Sequence, residues 1–429
     1  MSVKLSHEDE QMLNGQKGPA AQMAMRIMVR MADVVDAPEM MDVTQAHIDG
    51  CGLLSDTGLE FAEILAAKGA KVSIPTTLNM GPLDLRNWRK FGVSEDFAAK
   101  AIRQAKAYTD MGCIPTWTCA PYQSYLTPAF GRQIAWGESN AICYANSVLG
   151  ARTNRYGDFI DICAAITGRV PKCGLHLKQN RKGQILLKLL DIDPVIMQSN
   201  SFFAILGHLT GSLANDKIPV IEGLPINASS DQLKAFCAAA ASSGAIALFH
   251  AIGITPEANT LEEAFQGKQP EQVTDIHFSD LQKAASELST APEGIKLDVV
   301  ILGCPHFSFD EFRQLAELIK SQTETGKTLH PDVRFIVISS QTSYSLLQRS
   351  DFIDVLINFG VEITLDTCMF HTPMVSKDTK VIMTNSGKCA YYAPGELSVN
   401  VAFGTMADCI DSAVKGHVSY KETPWKKSC

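Results

Sequence analysis

Apolar residues follow two rhythms along this chain, and the rhythm becomes most regular after Lys296. There, short apolar runs alternate with amphipathic stretches: strands over Asp298–Leu302, Arg334–Ser339, Glu362–Leu365, Lys380–Thr384 and Ser398–Ala402, and helices over Phe309–Thr323, Ser343–Phe359 and Thr405–Val414. Runs of this length bounded by turn residues are buried strands, and their alternation with helices predicts a doubly wound α/β domain over 291–429. Residues 1–290 show a looser alternation, read as one α/β region of two intertwined subdomains. Ser6 before Glu8, Asp9 and Glu10 caps a first helix, and longer helices are predicted over Ala20–Val35 and Thr57–Lys68. A strand over Lys71–Ile74 runs into the polar segment Pro75–Asn79. Farther on, strands Pro219–Glu222 and Ala245–Phe249 flank an alanine-rich helix Ser230–Ser243, which is a βαβ unit. Glu257–Ser289, rich in charge, Gln and Thr, reads as helices and loops at a domain junction.

Length and composition narrow the class. A chain of 429 residues exceeds one hydrophobic core, and 46% hydrophobic with 20% charged residues and a dispersed net charge of −8 describes a globular protein without a nucleic-acid surface. The acidic N-terminus lacks the cationic start and apolar run of a signal peptide, and no stretch reaches membrane-spanning length, so a cytoplasmic location is expected. Twelve cysteines in such a chain are read as reduced thiols. Cys143, Cys163, Cys237 and Cys409 sit among Ala, Ile and Val and are expected in the core.

Three other cysteines stand in polar loops: Cys119 in Thr118-Cys119-Ala120-Pro121, Cys304 in Gly303-Cys304-Pro305-His306, and Cys368 in Asp366-Thr367-Cys368. Should folding gather them, three thiolates would hold an iron cluster with one iron left open as a Lewis acid. They do not form a short-range zinc pair, and a thiolate nucleophile with a histidine base, Cys304 with His306 or Cys368 with His371, is a second use of the same residues. In the C-terminal domain Cys304, Ser339–Thr342, Cys368 and Asn385–Lys388 each follow a predicted strand, so their loops are expected on one edge of the sheet. Arg152 and Arg155, with Ser139, Asn140 and Asn154 nearby, can bind a carboxylate or phosphate; a surface ion pair is the plainer alternative. His47, Thr76, Thr77 and Asn79 are either ligand groups or capping and core hydrogen-bonding groups.

Taken together these loops resemble the aconitase X family over almost the whole chain. The resemblance is carried by His47-Ile48-Asp49-Gly50, Pro75–Asn79, Thr118–Tyr122, Trp136–Asn140 with Asn146–Arg155, Phe249-His250 with Gly253–Glu257, Gly303–His306, Asp366–Cys368 and Thr384–Lys388. It implies an aconitase-like fold of multiple α/β/α domains with mostly parallel sheets around a central cleft. It implies that Cys119, Cys304 and Cys368 hold an iron-sulfur cluster, 2Fe-2S or 4Fe-4S, and that the chain is a lyase removing water from a small hydroxy acid. His47, Thr76, Thr77, Asn79, Ser139, Asn140, Arg152, Asn154 and Arg155 become substrate-binding candidates, and His306 and Lys388 catalytic ones. A separate small subunit, a swivelling domain supplying a serine base, is the implied partner. Of two substrates, cis-3-hydroxy-L-proline is preferred over (R)-5-phosphomevalonate because no basic run marks a phosphate pocket. A binding or regulatory subunit that kept the fold and lost the chemistry is the reading from another class.

Overall fold

The computed structural model describes residues 3–124, 126–421 and 425, and among them fourteen strands gather into four sheets, three of them wholly parallel. The chain folds as two compact units. The first holds residues 1–182 together with 255–257, and the second holds 183–254 and 258–429.

In the first unit, strands β1 (Met40–Asp42), β2 (Ala46–Ile48), β3 (Thr76–Leu78), β4 (Ala135–Trp136) and β5 (Arg169–Pro171) make an antiparallel β1–β5 pair and a parallel sheet of order β3-β2-β4. Each of the three parallel strands is buried along its length, so their small and β-branched residues fill the interior from both faces. Ser6 caps helix His7–Leu13 in a reciprocal box with Asp9, as its sequence signature predicts. Helix Pro19–Val34 opens on a proline and packs Ala24, Met25, Met28 and Ala32 into the core against helix Ile160–Thr167. The predicted strand Lys71–Ile74 does not form. Val72 and Ser73 give their N–H groups to Met111 and Ala165 carbonyls instead, and the strand begins at Thr76.

In the second unit, β6 (Ile185–Leu189), β7 (Pro219–Glu222), β8 (His250–Ala251) and β9 (Gln272–Ile276) form a parallel sheet of order β8-β7-β6-β9. Helix Ser230–Ser243 joins β7 to its neighbour β8, as expected of the βαβ unit, although β8 starts at His250 rather than within Ala245–Phe249. Strand β9 lies inside the stretch read as helices and loops. Four of its five side chains escape burial because it is an edge strand, which hides its period. Then β10 (Val299–Phe307), β11 (Arg334–Ser339), β12 (Val361–Leu365), β13 (Val381–Thr384) and β14 (Asn400–Phe403) build a parallel sheet of order β12-β11-β10-β13-β14. The expected helix Ser343–Phe359 is broken into Gln341–Leu347 and Phe352–Phe359 by a polar turn. Phe307, Phe312, Leu315, Phe335 and Ile410 are among the core residues that this sheet and its helices share. No helix among the described residues is long and apolar enough to cross a membrane.

Candidate active site

Strand order decides where the second unit can bind a ligand. From β10 the chain proceeds outward to β11 and β12, then returns to the opposite side for β13 and β14, so the ends of β10 and β13 flank the point where winding reverses. Adjacent loops diverge there and leave a crevice at the carboxyl edge of the sheet. Cys304 lies near the end of β10, Asn385–Lys388 follow β13, and Cys368 follows β12 on the same edge. The backbone makes room for this. Gly303 takes φ +93°, and a Cβ there would meet the Ile338 carbonyl oxygen at 2.0 Å. The Cys304–Pro305 peptide is cis.

One hydroxyl ties two of these loops: Ser386 donates to the Cys304 carbonyl and accepts from Cys389 N at 3.0 Å, capping helix Gly387–Glu396. His306 is buried, and its Nε2 meets the Thr367 carbonyl at 2.7 Å, linking the segment after Cys304 to the one before Cys368. Cys304 and Cys368 are half-buried, whereas Cys389 is fully buried, and burial together with those two thiols drives its pKa far above the usual thiol value. The two loop cysteines thus share one neighbourhood. Lys388 stands half-buried in the first turn of its helix, beside Cys389.

Behind Cys304 lies a charge group that sequence reasoning missed. Lys234, buried in the alanine-rich helix, places Nζ 2.9 Å from Asp231 and 2.5 Å from Glu311, and 3.3 Å from the His306 carbonyl. Burial pushes the Glu311 carboxyl up, and the Lys234 ammonium beside it pulls it back towards the ionised form. A charged pair three residues apart on an alanine-rich helix was the signal for it.

The first unit carries the remaining candidates around β2, β3 and β4. His47 and Thr77 are register partners, and His47 Nδ1 lies 2.8 Å from Thr77 Oγ1. Burial depresses the imidazole to about 4 although the Glu138 carboxylate opposes it, so the ring is neutral near pH 7. Thr76 donates to the Ile74 carbonyl at 2.8 Å. Asn79 donates through Nδ2 to Asp49 Oδ1. Asp49 N and Gly50 N in turn donate to Asp161 Oδ2 at 2.6 and 3.3 Å, and Ile162 N to Oδ1 at 2.6 Å. Burial lifts the Asp161 carboxyl to about 8, the backbone donors limiting the rise. Gly137 lies against this knot, where a Cβ would come within 2.9 Å of Asp161 Oδ2 and 2.8 Å of Asp49 Cβ.

Cys119 hangs from the end of β3: Thr118 N donates to the Leu78 carbonyl at 3.2 Å, and buried Asn140 donates to the Cys119 carbonyl at 3.0 Å. Asn140 is fixed by Tyr122, whose ring stacks on Tyr144 with centroids 3.7 Å apart. Glu138 caps the helix of Asn140 through Ala141 N at 2.6 Å, and Ser139 lies half-buried beside it. Asn154 accepts Leu175 N at 2.7 Å and donates to the Cys173 carbonyl, so its amide holds the 173–175 turn. Arg155 is exposed.

Arg152 is half-buried, with Nη2 3.8 Å from Glu257. The tighter partner of Glu257 is Arg181, a buried guanidinium at 2.6 Å that also donates to Asn146 and to the Leu175 carbonyl. Burial pulls the pKa of Arg181 below its usual value. Arg181 and Asp161 were not singled out from sequence, and Glu257 only as the last residue of the Gly253–Glu257 segment, because their partners lie far along the chain.

Within either unit, no three His, Cys, Asp or Glu side chains of the described residues gather as ligands for one metal. The second unit offers two half-buried, soft thiols at its crevice, a donor pair suited to iron-sulfur chemistry; Cys119, half-buried as well, belongs to the first unit.

A mixed α/β architecture of mostly parallel sheets is shared with solved proteins. The crystal structure of Thermococcus kodakaraensis aconitase X in its holo-form superposes with a TM-score of 0.85 at 29% identity, covering 96% of this chain and 100% of that one. Residues 2–179, 183–286 and 297–415 match the aconitase X first, second and third domains in turn, and the chain belongs to the aconitase X family. It is 41% identical to the cis-3-hydroxy-L-proline dehydratase of Hypocrea jecorina over 100% of this chain and 72% of that protein. Against the protein of that name from Pseudomonas aeruginosa it is 42% identical over 96% of this chain and 70% of the other. The phosphomevalonate dehydratase large subunit of Methanothermobacter thermautotrophicus is 37% identical over 94% of this chain and 96% of its own length.

Proposed function

We propose that this chain is the large catalytic part of a hydro-lyase that dehydrates cis-3-hydroxy-L-proline. The observation that carries this reading is the 41–42% identity to cis-3-hydroxy-L-proline dehydratases of a fungus and a bacterium, against 30–37% for the phosphomevalonate enzymes. A second reading, a phosphomevalonate dehydratase large subunit, is favoured by extent: the chain spans 94–99% of those subunits but 70–72% of the hydroxyproline enzymes. The large-subunit names of the phosphomevalonate relatives imply a partner, and in both readings we take a small subunit to complete the enzyme and to supply the serine base.

Cys119, Cys304 and Cys368 would hold the iron-sulfur centre, which when bound supplies a Lewis acid for the departing hydroxyl. The protein's own residues do the rest. Arg152, whose partner Glu257 is engaged more closely by Arg181, receives the substrate carboxylate, with Arg155 and Ser139 as further donors. The proton next to a carboxylate is weakly acidic, so fixed donors must meet the charge that grows as it leaves. Thr77 and Asn79, immobilised by His47 and Asp49, are donors of that kind, whereas Asn140, whose amide hydrogens go to Tyr122 and the Cys119 carbonyl, holds the Cys119 segment in place. Neutral His47 holds the Thr77 hydroxyl, and Thr76 closes on the Ile74 carbonyl beside it. His306 orients the segment that carries Cys304, and Lys388 balances anionic charge at the crevice.

Incubating the chain, purified anaerobically with its small subunit, with each compound decides the substrate. Formation of pyrroline-2-carboxylate from cis-3-hydroxy-L-proline is expected; water loss from phosphomevalonate alone overturns the preferred reading. Iron and acid-labile sulfide are expected in that preparation, and their absence removes the cluster.

A further inference from the structure

The buried charge group behind Cys304 has a geometry that stability alone does not explain. A buried ion pair typically returns little net stability, since desolvating each ion offsets the attraction, and an apolar replacement of similar volume is often as stable. Here three charges are spent on one short stretch of backbone. Lys234 donates to the His306 carbonyl at 3.3 Å, Glu311 accepts from Ser308 N at 2.8 Å, and Asp231 accepts from Ser308 Oγ at 2.7 Å. At the other end of the stretch Ser386 holds the Cys304 carbonyl. A cavity of about 30 Å³ opens between the two sets, bounded by Asp231, Lys234 and Glu311 on one side and by Cys304, Asn385 and Ser386 on the other. The triad and the Cys304 loop thus line one small cavity, with room for no more than about one water.

We infer that Lys234, clamped by Asp231 and Glu311, is a positioning residue for the site: it holds the Cys304–Ser308 segment in place and sets the charge felt at the Cys304 sulfur. The second half of this statement rests on the proposed iron-sulfur centre; the first half does not. Lys234→Met removes a positive charge, whereas Glu311→Gln removes a negative one and keeps an acceptor for Ser308 N. The two variants therefore act in opposite senses on a metal centre and in the same sense on the segment.

Two measurements test this on the full chain with its small subunit. In metal-free protein, amide exchange followed by mass spectrometry is expected to accelerate in the peptides spanning residues 303–308 in both variants, with the rest of the second unit unchanged. In loaded protein, the midpoint potential of the centre is expected to fall in Lys234→Met and rise in Glu311→Gln. Loss of such an outer partner is expected to lower kcat roughly 10- to 100-fold in Lys234→Met while KM holds. Unchanged exchange at 303–308, or faster exchange spread evenly over the unit, overturns the positioning role. Potentials that stay put or move together overturn the electrostatic one. Should Lys234→Met fail to fold, Glu311→Gln decides both points alone. Wild-type protein that takes up no iron refutes the proposed function, and the exchange experiment still rules on Lys234.

Discussion

Gly303→Ala is expected to be far more damaging than its single methyl suggests, and the structure supplies both the size of the effect and its control. At Gly303 the backbone has φ +93°, and the added Cβ would lie 2.0 Å from the Ile338 carbonyl oxygen and 2.9 Å from its carbon and nitrogen. Those are backbone atoms of β11, which is paired on both sides, by β10 and by β12, so no side-chain rotation relieves the clash. The left-handed conformation costs an L-residue about 1–2 kcal/mol, and forcing a methyl into filled space adds about 1–3 kcal/mol. Gly326 separates the two contributions: its φ is +78°, but nothing lies within 4 Å of a Cβ there. Gly326→Ala should therefore show only the conformational cost, reduced by about 0.4–1 kcal/mol because alanine also restricts the unfolded chain. Differential scanning calorimetry of the metal-free protein is the assay. A gap of about 2 kcal/mol between the variants would appear as a melting transition lower by roughly 2–4 °C in Gly303→Ala than in Gly326→Ala. Equal melting temperatures would refute the reasoning, since the two alanines then differ in nothing that matters.

Asp161 predicts a pH effect. Its carboxyl holds a proton up to about 8 in the fold against the ordinary 3.8, so the folded chain binds the extra proton between those values and stability falls as pH rises through them. Between pH 7 and 8, above the titration of His47 and His176, the wild type should lose up to roughly 1.4 kcal/mol per pH unit from this group, and Asp161→Asn should flatten the denaturation midpoints over that range. The two arginines near Glu257 should part company. Arg181→Met strands the Glu257 carboxylate and is expected to cost about 3–5 kcal/mol in urea unfolding, whereas Arg152→Met should leave folding intact and raise KM roughly 10- to 100-fold through a lost charge-assisted hydrogen bond. Gly137→Ala, which presses a methyl onto Asp49 and Asp161, is expected to lower the melting temperature and, by displacing Asn79, the activity as well.

Much of the five-stranded sheet was legible because its inner strands are mainly apolar and give way to Gly303-Cys304, Ser339 and Thr384. Strands ending that way place their loops on one edge, which is where Cys304, Cys368 and Asn385–Lys388 stand. The misses have particular causes. Strand β9 shows its side chains to solvent and so reads as polar coil. Lys71–Ile74 has the apolar content of a strand, yet its N–H groups are spent on loop carbonyls. At the candidate site, loops rich in polar residues were visible one by one, while the groups that hold them were not. Asp161 answers Asp49 across 112 positions, and Arg181 answers Glu257 across 76. No local period records such pairs. Lys234 is the exception, since it and Asp231 three residues before it are the two charged residues of an alanine-rich helix.

The brief excursion in which residues 255–257 join the first unit has a practical corollary for anyone who wishes to dissect this protein. A fragment ending at Lys182 keeps Arg181 but leaves behind Glu257, the anion that neutralises it. Such a truncation would bury a lone cation and should misfold or aggregate. Grafting a short tether that carries Thr255–Glu257 onto its end is the more promising route to an autonomous half.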